Sequence, residues 1–314
     1  MNILFISSGN SVSGISSIVF GQGESLKATG VDVEYFLIKG KGIFGYLRAV
    51  YSLQRWVRER KFDIYHAHYS LSAFLASIAG VRPLVVSLMG SDVNRNSIHR
   101  FLIWLFNYIF RWSALIVKTQ EMKKLLGINN IEVIPNGVNI SVFKPIVKLD
   151  AQKKLGWNNK SKHILFPSDP SRPEKNYNLA INAIEKLKMN AVELHSLKNV
   201  NSNEVYYYMN AADVVLLTST REGSPNVIKE AMACNCPTVA TNVGDVKWLF
   251  GNEKGYYIVS YHPDDVADKL LHSLMFVKNQ NRTNGRSRLV ELGLDSETIA
   301  LRIISIYKTI QAKN

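Results

Sequence analysis

A chain of 314 residues, 46% hydrophobic and 20% charged, can bury one large core or two of about 150 residues each. With only 19 Gly and 9 Pro alongside that apolar content, collagen-like, low-complexity and disordered classes are excluded. The formal net charge of +13 favours an anionic membrane surface or phosphorylated small molecules, and no nucleic-acid motif accompanies it, so nucleic acid is not expected as a partner. Residues 1–145 alone hold 16 Lys/Arg against 8 Asp/Glu, an excess of +8.

Residues 1–9 carry no basic leader and only a short apolar run, so they are predicted as a first strand rather than a signal peptide. Cys234 and Cys236 lie too close together to staple a fold, which suits a reducing cytoplasm. Short runs rich in Val, Ile and Phe then alternate with amphipathic segments, the rhythm of parallel sheets with crossover helices. Strands are predicted at 3–7, 31–38, 62–66, 83–88, 114–119 and 131–135, and again at 163–167, 191–194, 213–218, 237–241 and 256–260. The expected architecture is α/β: two Rossmann-like domains facing each other across a cleft, spanning 1–145 and 146–295, with a last helix at 296–311 crossing back to the first domain. Ligands of such sheets sit at the carboxyl ends of the strands, so the loops there are where chemistry is sought.

The loop Ser8-Gly9-Asn10-Ser11-Val12-Ser13-Gly14 permits tight turns, but its spacing is not G-x-G-x-x-G, which argues against a nicotinamide enzyme. Further on, a buried strand runs into a loop carrying Glu222, and Gly223-Ser224-Pro225-Asn226-Val227 then opens a helix with Glu230 expected two turns in. A helix start with a glycine beside it binds phosphate through backbone N–H groups, and carboxylates accept paired hydrogen bonds from sugar or ribose hydroxyls. Taken alone, the two glutamates also fit a helix-start acid and a surface residue.

Seven motifs in order resemble the GT-B glycosyltransferases of the GT4 type: Asp63-Ile-Tyr-His66-Ala-His68, Gly90-Ser-Asp92, Val133-Ile-Pro135-Asn136-Gly137-Val138, Arg172-Pro-Glu-Lys175-Asn176, Tyr208-Met-Asn-Ala-Ala-Asp213, the Glu222/Glu230 block, and Pro237-Thr-Val-Ala-Thr-Asn-Val-Gly244-Asp245. The resemblance implies a retaining transferase that moves a sugar from a nucleotide-diphosphate donor to a glycan or lipid-linked acceptor. It implies that Glu222 contacts the sugar, Glu230 the ribose, and Arg172 and Lys175 the diphosphate, with residues 223–227 and Gly14 also at the donor. His68 falls where the family has its active-site histidine, while His66 reads as structural. Asp92 is equally suited to an acceptor hydroxyl and to capping the next helix. Two cations at the diphosphate could stand in for a metal, so no metal and no cofactor beyond the nucleotide-sugar co-substrate is expected. A lysine in an open loop would also be removable without loss of stability.

The chain departs from the family's pattern at two places. One is the Gly-containing strand motif between Lys175 and Tyr208, near which the family holds the nucleotide base: here it is cut down, with Ala191-Val-Glu-Leu-His195-Ser-Leu running almost directly into Asn199-Val-Asn-Ser. At the other, many relatives carry the diphosphate arginine six residues before the lysine, where this chain has Asp169, so Arg172 would have to serve instead. That departure keeps open a non-catalytic nucleotide-sugar-binding scaffold, and a GT-B-fold epimerase is a third reading. The segment 98–112 fits either a buried core helix or an interfacial one with Trp104 and Trp112 at the lipid boundary, and Arg55, Arg58, Arg60 and Lys61 form the basic cluster that would meet anionic lipid at the inner face of the cytoplasmic membrane.

Overall fold

The computed structural model describes residues 1–10, 14–40, 42–94, 96–280 and 282–313. Among them the chain divides into two compact units, Met1–Gly137 with Ser296–Asn314, and Val138–Asp295. The division falls eight residues before position 145, because Val138 pairs with Asp295 and Arg286 holds the carbonyls of Ile140 and Phe143.

In the first unit six parallel strands, β1 (Asn2–Ser8), β2 (Asp32–Ile38), β3 (Ile64–His68), β4 (Leu84–Ser87), β5 (Ala114–Val117) and β6 (Ile131–Val133), run in the order β2-β1-β3-β4-β5-β6. In the second, β7 (Lys162–Phe166), β8 (Val192–Ser196), β9 (Val214–Leu217), β10 (Thr238–Thr241) and β11 (Tyr256–Val259) run β11-β10-β9-β7-β8. All eleven predicted strands are present with ends within two residues of expectation. β3 runs on to His68, so that histidine closes the strand rather than following it.

Their continuous apolar runs follow from burial on both faces. Ile164 and Phe166 of β7 enter one core with Val214 and Leu216, while Leu165 and Val215 enter another with Met209, Ala231, Cys234 and Cys236. Both thiols are free and buried. Helix ends carry ordinary signals: Asn96 and Thr119 accept from the amides of His99 and Met122, and Gly127 closes the second of these helices in the left-handed region. The helix Ser296–Gln311 buries Ile299, Ile303, Ile304, Tyr307 and Ile310 and belongs to the first unit, where the Tyr307 hydroxyl lies 2.5 Å from His66 Nδ1.

Each sheet reverses its winding at one point, between β1 and β3 in the first and between β7 and β9 in the second. Loops at such a switch diverge to opposite faces and leave a crevice at the strand ends. In the first unit those loops carry Gly14 and the residues after His68; in the second they carry Lys175 and Glu222.

Candidate active site

The second unit stitches its strand-end loops together with hydroxyls. Thr218 Oγ1, just past β9, donates to the carbonyls of Lys175 and Asn176, both at 2.9 Å. The Thr220 amide reaches the Glu174 carbonyl at 2.9 Å, and Thr241 Oγ1, at the end of β10, reaches the Ser219 carbonyl at 2.6 Å. Lys175 closes a short 3₁₀ turn, Pro173–Lys175, before Asn176 turns the chain at φ 52° into the helix Tyr177–Lys186. Held this way, Lys175 is buried, and its Nζ lies 2.5 Å from Glu222 Oε1. Ser219 Oγ donates to the same oxygen at 2.8 Å. The sequence pointed to the lysine and the glutamate separately; the structure makes them an ion pair in which the lysine is buried and the glutamate partly buried.

Arg172 lies apart from this pair: it is exposed and bridges Glu174 at 2.5 Å. Such an exposed pair contributes little to stability and leaves the guanidinium available to an anion.

Just beyond Glu222, the helix Asn226–Ala233 begins at Pro225 without a side-chain cap. The buried Oδ1 of Asn226 has no hydrogen-bond partner. Val227 packs its side chain against the core, so what it can offer a ligand is its backbone. Glu230 is the fifth residue of this helix, little more than one turn in rather than two. Burial pushes its carboxyl up to about 7, against the pull of the neighbouring Lys229 charge. Lys229, which the motif reading passed over, is wholly buried; its Nζ donates to Ser224 Oγ at 3.0 Å, and burial brings its ammonium down to about 8 despite Asp245 and Glu230. Burial likewise raises Asp245, with Lys229 opposing. Gly244, at φ 56°, lies so close to this loop that a Cβ there would come within 1.9 Å of the Gly223 carbonyl oxygen.

The first unit presents a second cluster. His66 is buried between the Tyr307 hydroxyl and Ser87 Oγ at 2.8 Å, which bears out its structural reading. His68 stacks on His66 at 4.3 Å and leans on Phe5 at 4.4 Å, yet both its ring nitrogens are buried without a hydrogen-bond partner. Burial, then the charges of His66 and Lys118, hold its imidazole well below the usual histidine range, so it is neutral. A buried orphan costs about 1–3 kcal/mol, which a ligand hydroxyl would offset. Gly14 adopts φ 80° with open space where a Cβ would stand, while Ser11, Val12 and Ser13 of the same expected loop lie outside the described residues.

Asp92 corrects both sequence-based expectations. It is fully buried, and its carboxylate accepts from the amides of Met89, Gly90 and Val93 and from Ser70, at the start of the helix Ser70–Ile78. Burial raises this carboxyl and those amides lower it. It clamps its own loop; the next helix is capped by Asn96.

The helix Ser97–Phe110 combines both readings of its segment. Ile103 is buried and Phe106 and Phe110 pack on the core, while Ile98, Phe101, Trp104, Tyr108 and Ile109 are exposed, Trp104 stacked between Phe101 and Tyr108. Trp112 is not at a boundary: it is buried, and its Nε1 donates to Ser77 at 2.8 Å. Within the basic cluster, Arg60 pairs with Glu34 and Arg55 with Glu59. No helix among the described residues is long and apolar enough to cross a membrane.

Comparison with known proteins bears directly on this geometry. Residues 14–142 match the family described as Glycosyltransferase Family 4, and residues 172–275 the one described as Glycosyl transferases group 1. The chain is 27% identical over 220 residues to TuaC of Bacillus subtilis (strain 168), named for a glycosyltransferase role in teichuronic acid biosynthesis; the match covers 61% of this chain and spans 56% of that protein's length. It is 23% identical over 285 residues to the UDP-Gal:alpha-D-GlcNAc-diphosphoundecaprenol alpha-1,3-galactosyltransferase of Escherichia coli, covering 77% of this chain and 73% of that one. In fold it is similar to HepE of Anabaena in complex with UDP and glucose, with a TM-score of 0.74 and 18% identity over 98% of this chain and 100% of that one. Ordered motifs, two family matches and a shared two-sheet architecture agree, and the chain belongs to the GT4-type glycosyltransferases of the GT-B fold.

Proposed function

We propose that the chain transfers a sugar, with retention and without a metal, from a nucleotide-diphosphate donor to a glycan or lipid-linked acceptor in the building of a cell-surface polysaccharide. The observation that carries this reading is the largely buried Lys175–Glu222 pair beside an uncapped helix start. A diphosphate entering there gives Lys175 a second anion and frees Glu222 to accept from sugar hydroxyls. Amides at the start of the helix Asn226–Ala233 meet the phosphates, and Glu230 accepts from the ribose. As the bond between the anomeric carbon and the phosphate oxygen breaks, Lys175 and Arg172 stabilise the negative charge collecting on the leaving diphosphate. The acceptor oxygen bonds to that carbon on the same face and passes its proton to a phosphate oxygen. Neutral His68 is available to a sugar hydroxyl through one of its unpartnered ring nitrogens.

HepE, crystallised with UDP, with UDP and glucose and with UDP-glucose, supports a nucleotide-sugar donor. The diphosphoundecaprenol in the galactosyltransferase's name supports a lipid-linked acceptor. With such an acceptor the chain works in the cytoplasm against the inner face of the membrane, and the exposed aromatic face of the helix Ser97–Phe110 suits that contact. Trp104→Glu should then reduce co-sedimentation with anionic vesicles; unchanged sedimentation would remove this helix from the contact. The Arg172–Glu174 pair favours one second reading, a binding subunit without catalysis.

A thermal-shift panel of UDP, GDP, ADP and dTDP sugars tests the donor site, since a ligand at 100 times its Kd adds about 2.7 kcal/mol of apparent stability. Transfer from the stabilising donor that is lost in Lys175→Ala supports catalysis. Binding with no transfer in the intact chain supports the scaffold, and no binding by any nucleotide sugar sinks both.

A further inference from the structure

On one face of the second sheet two histidines and a glutamate converge on a single point. His163 of β7 lies directly across from Glu193 of β8 in the parallel register, and His195, two residues along β8, shares that face. His163 Nδ1 and His195 Nε2 are 2.9 Å apart, and Glu193 Oε2 is 3.6 Å from the first and 3.5 Å from the second. It is the one group of three such ligand atoms among the described residues.

The tautomers follow from the surroundings. His163 Nε2 lies 2.8 Å from the carbonyl oxygen of Asn158, which can only accept, so Nε2 carries the proton and the Nδ1 lone pair faces the cluster. A carbonyl that fixes the far nitrogen of a histidine in this way is the usual outer partner of a metal ligand. Trp157 closes the other side, stacked on the His195 ring with centroids 3.6 Å apart and 12° between planes. His163 is fully buried, whereas the side chains of Glu193 and His195 are 40% and 20% exposed, so the open side faces solvent along the edge strand.

We propose that His163, Glu193 and His195 bind a zinc-type divalent transition-metal ion that fastens the edge strand β8 to β7. Metal–nitrogen and metal–oxygen bonds of about 2.0–2.2 Å in a tetrahedron put ligand atoms roughly 3.4 Å apart. Both edges to Glu193 are close to that length already; only the histidine–histidine edge has to open, by about half an ångström. His195 moves its proton from Nε2 to Nδ1 as the ion takes the place of the hydrogen bond between the rings. The donor set, two imidazoles and one carboxylate, suits zinc and leaves a fourth position to water. The ion has no part in the sugar-transfer step, so this inference stands or falls independently of the donor site.

The test is titration of the chelator-treated full chain with Co²⁺, followed by displacement with Zn²⁺. The expected result is one equivalent with the visible bands of four-coordinate cobalt and no thiolate charge-transfer absorption, which separates this site from Cys234 and Cys236. Zn²⁺ should raise the thermal transition. Glu193→Gln and His195→Gln, each partly exposed and still able to hydrogen bond, should melt like the parent without metal and bind more than about 100-fold more weakly, beyond the loss of an outer partner. Absence of stoichiometric binding by the parent chain, or equal affinity in both variants, overturns the proposal.

Discussion

One oxygen of Glu222 receives both Lys175 Nζ and Ser219 Oγ, and this sharing changes what removal of the lysine should do. In an open loop Lys175 would be dispensable to the fold, but a buried cation cannot be deleted without stranding its partner. Lys175→Ala should therefore cost about 3–5 kcal/mol of stability as well as transfer, and Lys175→Ala combined with Glu222→Ala should cost less than the sum. Urea unfolding of the four chains measures the coupling, and strict additivity would mean that the pair does not form in solution. Glu230 makes a different prediction. With its carboxyl raised by burial to about 7, the folded chain prefers it protonated, so its contribution to stability is fully present below the ordinary glutamate range and is lost as pH rises through 7. Ribose binding by a carboxylate runs the other way: affinity for a nucleotide sugar should climb nearly tenfold per pH unit below 7 and level off above 8. Glu230→Gln should flatten that profile in calorimetry, whereas an unchanged slope would take this residue out of ribose recognition.

At the level of strands and loops, the sequence was most legible where period and punctuation agree. Apolar runs bounded by polar loops located every strand, and Gly-x-Pro before an amphipathic run located the helix that carries Glu230. What local pattern could not supply was partnership across the chain. Asp92 resembled a helix cap because it precedes a helix, yet its carboxylate folds back onto its own loop and across to Ser70. Lys229 drew no attention beside Glu230 in the sequence, and only the fold shows that its ammonium is buried against Ser224. Thr218, Ser219 and Thr241 carry no motif signal, because a hydroxyl that ties one loop to another has no fixed spacing to it. The contact of Gly244 with Gly223 belongs to the same class. Gly244→Ala combines a left-handed backbone with a clash on a carbonyl oxygen, so the 222–225 loop must shift. We expect KM for the donor to rise at least tenfold while the thermal transition falls only modestly; an unaltered KM would show that the loop is not held from this side.

Over the whole molecule, repetition of one architecture explains why two candidate clusters exist. Each sheet reverses its winding once, and each reversal gathers the residues that the family motifs single out: Lys175 and Glu222 in one unit, His68 and Gly14 in the other. The motif order along the chain made this division legible without coordinates, whereas the segment after β8 was not legible, because the family's motif is shortened there.

The first unit is assembled from two separated stretches, Met1–Gly137 and Ser296–Asn314, and this has a consequence for biogenesis. While the ribosome is still translating, Val138–Asp295 has every strand it needs as soon as it clears the exit tunnel, whereas the earlier-made sheet must wait for Ile303 and Tyr307, the latter 241 positions downstream of His66. The half synthesised first is thus the half completed last, and a nascent chain stalled short of residue 296 should recruit holdase chaperones to its N-terminal sheet.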